Sequence, residues 1–538
     1  MGFAADIIVW DLETRSLVHR LALHKVRVQS LSFSCDDKYL ATLGGQDDNN
    51  LVVWEVETGK PVCGSPTSRE HTTNVKFFNN SPHKLVTTGS NNMSTWDFDP
   101  ANRKLRMNEC HMGLYVRECR TMALSTDDEY VYFGSLSGDV LQVSLRNALF
   151  KAAGPKTLFP KGIECTMLAP TGDILVGTGD GTIALMSADT LRVKCQCRLS
   201  ASDTRVTSLV PMSMTSEDCF QFLCGTSHCT IYVVTCKGGD FDVQLLQTCH
   251  FARVNDVAFQ EGFSEVFATC SIEDIRVWHA REFRELLRVR VPNAECHCIS
   301  FMPDGGSILS GWSDGTIRAF GPQTGKLLYT IHDAHVDGVT AIRGTADCER
   351  IVSGGMEGQV RVWRIGPQSQ TMVASMKEHK GPVNAIQVRP SGSEFVSASS
   401  DGSCIIWDMR RFKRNTSLLA STNFKDILYH PDESQMLTTG TDRKITYWDA
   451  FDGQAIRIID GSDDSEMTCL AISNDGEAFV AGGCDRLVKL YGYDEGFCHY
   501  VGEGHSGSIC RVKISPDQKT IVSVGAEGGI FTWTMAAV

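Results

Sequence analysis

Short apolar segments that end in tryptophan recur along the whole chain. Eight of the nine tryptophans close such a segment, in the forms IIVWD, LVVWE, MSTWD, IRVWH, VRVWR, CIIWD, ITYWD and IFTWT. Five further segments have the same form without tryptophan and end near Val143, Leu185, Val233, Phe320 and Tyr491. The closing positions are 10, 54, 96, 143, 185, 233, 278, 320, 363, 407, 448, 491 and 533, so neighbours are 41 to 48 residues apart. A fixed period of this size indicates a repeat architecture.

The segment 379–408 displays the unit most clearly. VNAIQV alternates apolar and polar residues, PSG predicts a turn, EFVSAS a second strand, SDG another turn and SCIIWD a third strand. A fourth strand of the type KLLYTI follows before the next unit begins. Four strands in about 40–45 residues are typical of the blades of a WD40 β-propeller. The predicted fold class is therefore all-β.

Thirteen closing strands exceed the four to eight blades of a single propeller, so two rings in tandem are expected. The last seven, from Trp278 to Trp533, make a complete seven-bladed WD40 propeller, and the domains are predicted as 1–240 and 241–538. The KGGD segment at 237–240 suggests a hinge between them. Because Met1 leads directly into a closing strand, the N-terminal propeller is expected to be incomplete, lacking about one and a half blades.

Histidine, serine, acidic and tryptophan positions keep a regular spacing before the closing strands. In three units a histidine precedes the tryptophan by 28 residues, a serine by ten and an acid by six. These residues are His335, Ser353, Glu357 and Trp363; His379, Ser397, Asp401 and Trp407; and His505, Ser523, Glu527 and Trp533. Buried polar groups need partners. The spacing therefore predicts a structural hydrogen-bond network from carboxylate to imidazole to hydroxyl to indole.

Composition limits the classes of function. The chain has 51 basic and 64 acidic side chains, a net charge of −13 and a pI near 5.6. Binding of nucleic acid through a basic face is disfavoured, and no apolar run approaches the roughly 20 residues that span a bilayer. The 21 scattered cysteines indicate reduced thiols in a cytosolic protein.

Three motifs that resemble catalytic, cofactor or metal sites have structural explanations. GWSDG at 311–315 matches a nucleophile elbow, but Ser313 is predicted in a turn between strands, where that elbow needs a following helix. GTGDGT at 177–182 lacks the helix and lysine of a phosphate loop. Cys296-His297-Cys298 lacks the C-x-x-C spacing of zinc sites. No catalytic residue, cofactor or metal is predicted, and the chain is not expected to be an enzyme.

One dense basic run follows the Trp407 strand. Arg410, Arg411, Lys413 and Arg414 are predicted on a loop. Such a loop is either simply solvated or makes an electrostatic contact with an acidic protein surface.

Segments outside the generic repeat features carry a closer resemblance. MGFAADIIVWD, LGGQDDNNLVVW, FATCSIEDIRVWH, REFRELLRVRVPN and GTDRKITYWDAFDG, among others, closely resemble the cilia- and flagella-associated protein 52 family, WD-repeat proteins of motile cilia. The resemblance spans about the whole chain. It implies a double propeller that is a microtubule inner protein, bound to tubulin (α/β) and other microtubule inner proteins near the inner junction, in the B-tubule lumen of axonemal doublets.

Two other functions remain open at this point. A soluble cytosolic WD40 adaptor that scaffolds a multiprotein complex would have the same fold, but would be extracted by detergent. A propeller hydrolase would need one asymmetric polar cluster in a central channel, whereas the polar residues recognised here repeat with the blades.

Overall fold

The computed structural model of the chain describes residues 5–14, 17–68, 70–199, 204–216, 219–366 and 369–536. In these ranges every helix or strand assigned is a strand, and no helix is long and apolar enough to cross a membrane. The chain divides into two compact units, residues 1–247 and 248–538.

The first unit contains a two-stranded sheet followed by five four-stranded antiparallel sheets. Its strands are β1 (Ala5–Trp10), β2 (Leu17–His24), β3 (Val28–Phe33), β4 (Tyr39–Gly44), β5 (Asn50–Glu55), β6 (Lys60–Pro66), β7 (Thr72–Phe77), β8 (Lys84–Gly89), β9 (Met93–Asp99), β10 (Lys104–Glu109), β11 (Cys119–Leu124), β12 (Tyr130–Ser135), β13 (Val140–Ser144), β14 (Leu149–Gly154), β15 (Ile163–Leu168), β16 (Ile174–Thr178), β17 (Thr182–Met186), β18 (Val193–Arg198), β19 (Val206–Ser216), β20 (Cys219–Thr226), β21 (Thr230–Lys237) and β22 (Asp240–Thr248), whose last residue already belongs to the second unit.

The second unit continues the same meander. Its strands are β23 (Asp256–Gln260), β24 (Phe263–Cys270), β25 (Ile272–His279), β26 (Arg284–Phe301), β27 (Ile308–Trp312), β28 (Ile317–Phe320), β29 (Leu327–Ile331), β30 (Val339–Gly344), β31 (Arg350–Gly355), β32 (Val360–Ile365), β33 (Gln370–Met376), β34 (Val383–Val388), β35 (Glu394–Ser399), β36 (Ser403–Asp408), β37 (Arg414–Leu419), β38 (Phe424–Tyr429), β39 (Gln435–Gly440), β40 (Lys444–Asp449), β41 (Ala455–Asp460), β42 (Met467–Ile472), β43 (Ala478–Gly483), β44 (Leu487–Gly492), β45 (Cys498–Glu503), β46 (Ile509–Ile514), β47 (Thr520–Gly525) and β48 (Ile530–Thr534).

All thirteen closing segments form strands, each third in its blade where the first and second strands are present, which confirms the all-β propeller prediction. In the second unit we number the blades from one to seven, from β23 to β48. Blades one and two share β26, whose first half is a fourth strand and whose second half is the next first strand. Blade seven consists of β46, β47 and β48.

Burial explains why the strands of one blade differ in pattern. Second and third strands such as β35 and β36 are almost continuously buried, because neighbouring blades cover both faces of the sheet. Fourth strands such as β41 form the outer edge of the blade and are mostly exposed. The apolar runs that end in tryptophan are therefore central strands, and Phe395 stands opposite Trp407 across one such pair.

Seven apolar clusters lie between the seven blades of the second unit, one at each interface. The cluster that joins the first and last blades includes Val257 and Trp278 from one side and Val522 and Val524 from the other. The backbone N–H of Val254 also donates to the carbonyl of Gly525 at 3.2 Å. These contacts close the ring.

In the described part of the first unit, five clusters join the six sheets in sequence order. None of these clusters joins the sixth sheet to the first. Trp10 of the first sheet is 54% exposed, whereas Trp54 of the next sheet is 3% exposed. The ring is therefore open in this part of the chain, in agreement with the predicted incomplete propeller.

The KGGD segment is not a hinge between the units. Gly238 and Gly239, both with positive φ, form the hairpin turn between β21 and β22 within one blade. Because β22 continues the sheet after this turn, the chain is still part of the blade at residue 240. The first unit ends at Gln247.

Close approach between two neighbouring strands of one blade makes a glycine necessary at position 89. The N–H of Ser90 donates to the carbonyl oxygen of His71, and a Cβ on Gly89 would lie 2.1 Å from that oxygen. Gly89→Ala should therefore lower the free energy of unfolding by at least about 2 kcal/mol. Gly64→Ala is the matched control, because its Cβ would approach the nearest atoms only to 3.5 Å. Urea unfolding followed by circular dichroism measures both variants, and equal stabilities would contradict this account.

Candidate functional site

A chain of hydrogen bonds crosses the fourth blade of the second unit. The indole N–H of Trp407 donates to Ser397 Oγ at 2.8 Å, and that hydroxyl lies 2.8 Å from His379 Nε2. On the other side of the ring, His379 Nδ1 lies 3.3 Å from Asp401 and 2.9 Å from Ser403 Oγ. His379 lies in the loop before β34 and Ser397 in β35. Asp401 lies in the turn between β35 and β36, and Trp407 lies in β36. The sequence spacing arises because these elements have fixed lengths.

The other two sequence-predicted sets are brought together in the same way. His335 Nε2 lies 2.9 Å from Ser353 Oγ, which also accepts the Trp363 indole N–H at 2.9 Å. In the last blade, His505 Nε2 lies 2.7 Å from Ser523 Oγ, and the Trp533 indole donates to the same oxygen at 2.8 Å. The carboxylates are Glu357 at 2.7 Å from His335 Nδ1 and Glu527 at 2.5 Å from His505 Nδ1.

Two further sets have the same geometry but different spacing. They consist of His24, Thr42, Asp48 and Trp54 in the first unit, and of His250, Thr269, Asp274 and Trp278 in the second. Threonine replaces serine in both, and the turn before Trp54 is longer while that before Trp278 is shorter. A search with variable turn length would have found both sets from the sequence.

Burial determines which atoms carry the protons in each of these hydrogen-bond sets. Burial lowers the pKa of His250, His335 and His379, although the neighbouring carboxylates oppose the shift. A neutral ring donates from Nδ1 to the carboxylate and accepts the hydroxyl proton at Nε2. The hydroxyl oxygen in turn accepts the indole N–H, so the ring, hydroxyl and indole groups all donate in one consistent direction.

The same members would be needed for a serine hydrolase, but the geometry excludes that chemistry. Ser353, Ser397 and Ser523 are fully buried, and each hydroxyl is held between an indole and an imidazole. A nucleophile must reach a substrate carbonyl, and these oxygens cannot. The sets fix strand register and loop position.

Ser313 of the GWSDG motif lies in the turn between β27 and β28, as predicted from the repeat. Its hydroxyl accepts the backbone N–H of Glu295 at 3.0 Å. The preceding Trp312 is buried and donates to Ser310 at 2.8 Å. This serine belongs to a blade turn.

An asymmetric charged cluster that sequence reasoning missed lies in the channel of the second unit. Arg511 of blade seven reaches Asp256 of blade one at 3.2 Å and Asp426 of blade five at 3.0 Å. Each carboxylate also accepts two backbone N–H groups, one from its own strand and one from the next blade. Although burial opposes it, the two carboxylates raise the pKa of Arg511.

The two aspartates of this cluster are engaged within the protein. Both aspartates are almost completely buried and hold the arginine and backbone N–H groups, so neither is free as a base or nucleophile. A cavity of about 480 Å³ that Arg511 lines has mixed charges, including Lys425 at 3.6 Å from Glu466. These two aspartates therefore do not provide the reaction centre that a propeller hydrolase requires.

Cysteines do not form a metal site in the described ranges, where no group of three or more suitable ligands occurs. A β-bulge between Cys296 and Cys298 places the two buried thiols in different clusters, on either side of the second blade's sheet, and burial raises the pKa of both. His297 between them is half-buried. These thiols fill the core between blades.

The basic run forms the turn between β36 and β37, which we call the basic turn (410–414). The carboxylate of Asp408 accepts the backbone N–H groups of Arg410 and Arg411 at 2.8 and 2.7 Å and so shapes the turn. Arg410, Arg411 and Lys413 are exposed and make no ion pair among the described residues. Arg414 is different, because it contacts Glu378 at 3.1 Å. Three cationic groups are thus free to meet a partner.

Each of the two units contains a match to a known family model. Residues 253–537 match the family model described as "WDR90, 4th beta-propeller", and residues 15–55 match the model "WD domain, G-beta repeat". Both descriptions agree with the blades observed here.

Cilia- and flagella-associated protein 52 of Chlamydomonas reinhardtii is 55% identical to the chain over 534 residues, which cover 99% of this chain and 86% of that protein. The human protein of that name is 44% identical over 537 residues, covering 99% and 85%. The chain belongs to the cilia- and flagella-associated protein 52 family. The sequence resemblance is thereby confirmed, and the chain is a cilium- and flagellum-associated WD-repeat protein.

More distant similarity reaches WD repeat-containing protein 90 of Xenopus tropicalis, 23% identical over 576 residues and covering 95% of this chain but 30% of that protein. The matches put this family member among structural or scaffold proteins and not in a known enzyme family.

The buried histidines predict acid sensitivity. Their pKa is lowered on folding, so the unfolded chain binds more protons as the pH falls below the ordinary histidine value of about 6.5. Stability is therefore full above that value and is lost on acidification. His379→Gln should make the dependence of the unfolding free energy on pH shallower between about pH 7.5 and 5.5, by at most about 1.4 kcal/mol per pH unit.

Urea titrations at several pH values measure this slope. His83→Gln is the matched control, because it replaces an exposed ring instead of a buried one. A slope in His379→Gln equal to that of the unaltered chain would show that burial of this ring does not cause the sensitivity.

Proposed function

We propose that this chain is a structural microtubule inner protein of axonemal doublet microtubules. In this proposal it binds tubulin (α/β) and other microtubule inner proteins near the inner junction, within the B-tubule lumen of motile cilia and flagella, and stabilises the doublet. The observation that carries the proposal is the 55% identity to a cilia- and flagella-associated protein over almost the whole chain. Its cellular location is the axoneme, a cytoskeletal structure.

The physical character of the chain supports a holding role. The polar groups that resemble catalytic residues are used inside the blades, as the Ser397 and Asp256 contacts illustrate. Closed sheets with short turns present rigid rims to partners. Several weak rim contacts, repeated along a regular lattice, add up to strong retention.

The basic turn is the proposed contact with an acidic surface. The whole chain has a net charge of −13, so its attachment to acidic tubulin needs local cationic groups. Arg410, Arg411 and Lys413 are such groups, because they are exposed and unpaired in the part of the chain that the structure describes.

Removing the positive charges of the basic turn should weaken the binding of the protein to axonemes. Arg410→Gln, Arg411→Gln and Lys413→Gln together should release the protein from isolated axonemes at lower salt, because rim charges strengthen binding in a salt-dependent way. We expect the salt concentration for half-release to fall by about twofold. Immunoblots of salt extracts from cells that carry the variant measure it.

Arg281→Gln, Lys326→Gln and Lys444→Gln together form the matched control, since they remove three exposed charges from other blades of the same unit. Unchanged extraction of the basic-turn variant would remove this turn from the interface. Complete release of the unaltered protein by detergent alone would instead indicate a soluble adaptor.

A further inference from the structure

A groove on the outside of the first unit has no role in the function proposed above. It lies between the outer strands of two neighbouring blades, β14 and β18, and has a cavity volume of about 960 Å³. One wall is formed by residues 153–160 and the other by residues 190–196. We call it the outer groove.

Packing holds the first wall in place. Phe159 is buried in the cluster that contains Leu191, and its backbone N–H donates to the carbonyl of Gly138 at 3.0 Å. Gly154 lies so close to the opposite wall that a Cβ there would be 2.8 Å from both Cβ and the carbonyl oxygen of Leu191. Leu158, beside these anchored residues, is 49% exposed. The groove is thus preformed and offers an apolar side chain.

The charge of the lining is opposite to that of the chain. Three lining residues are cationic, Lys156, Arg192 and Lys194, and none is acidic. Lys194 is paired with Asp173 at 2.7 Å, but Lys156 and Arg192 are exposed and form no ion pair within the described ranges. In a chain of net charge −13, this is a local site for a negatively charged partner.

The second wall follows the edge of a sheet. Residues 192–196 all line the groove consecutively, and successive strand residues point to opposite faces, so the groove runs along the strand edge. In the described sheet β18 pairs only with β17, which leaves its other edge open. An open edge can accept an extended segment through main-chain hydrogen bonds.

We propose that the outer groove binds an acidic, extended segment of another protein, which adds to β18 as a further strand. Its carboxylates meet Lys156 and Arg192, and its intervening apolar side chains contact Leu158 and Val193. This contact lies in a different unit from the basic turn and does not depend on the location proposed above.

Fluorescence anisotropy with the full chain tests the proposal. The probe is a fluorescein-labelled dodecapeptide in which glutamate alternates with valine, compared with the same peptide carrying lysine in place of glutamate. The glutamate peptide should bind saturably, and Lys156→Glu with Arg192→Glu should weaken its binding by at least about tenfold. Lys60→Glu with Lys104→Glu is the matched control, because both lysines are exposed in outer strands of other blades of this unit and should leave binding unchanged.

Two further measurements on the unaltered chain do not depend on any variant folding. Binding should weaken as salt is added, and methylation of alternate peptide nitrogens should abolish it, because it removes the main-chain donors. Absence of saturable binding up to about 1 mM peptide, equal binding of the lysine peptide, or full binding of the methylated peptide would each overturn the proposal. Equal weakening by the control variant would overturn it as well.

Discussion

The apolar contact between the faces of neighbouring sheets is the constraint on which the rest of this structure depends. A four-stranded blade cannot bury its own faces, so each blade is stable only against the next one. The second unit satisfies this requirement completely, because seven clusters serve seven blades. The hydrogen-bond sets around Trp363, Trp407 and Trp533 depend on this burial, since it removes competing water from their members.

Much of the fold could be predicted because its signals are local. The alternation of VNAIQV and the apolar run of SCIIWD each report on one strand, and both segments form the strands expected, β34 and β36. KGGD was misinterpreted because two glycines indicate a turn without saying whether a linker or a hairpin contains it. The merging of two blades in β26 likewise depends on how the chain continues past Pro292, which no local pattern specifies.

The polar sets were predictable only where turn lengths repeat. In the sets of His335, His379 and His505 the histidine, serine and acid all stand at constant distances from the tryptophan. His250 keeps the histidine distance, but its set has a shorter turn, and the set of His24 has a longer one. The channel cluster could not be predicted, because Arg511 meets Asp256 only after the ring has closed and joined the two ends of the unit. A contact that forms only when the first and last blades meet has no repeated spacing in the sequence by which it could be recognised.

Arg511 has a mechanical consequence. Its two carboxylate partners belong to blade one and blade five, so this single side chain ties together blades that are not all neighbours in the ring. Squeezing the ring into an oval would pull the guanidinium away from at least one carboxylate, and breaking a buried pair costs roughly 3–5 kcal/mol. The arginine therefore makes the ring of the second unit more resistant to deformation, a property that suits a component of the cilium or flagellum.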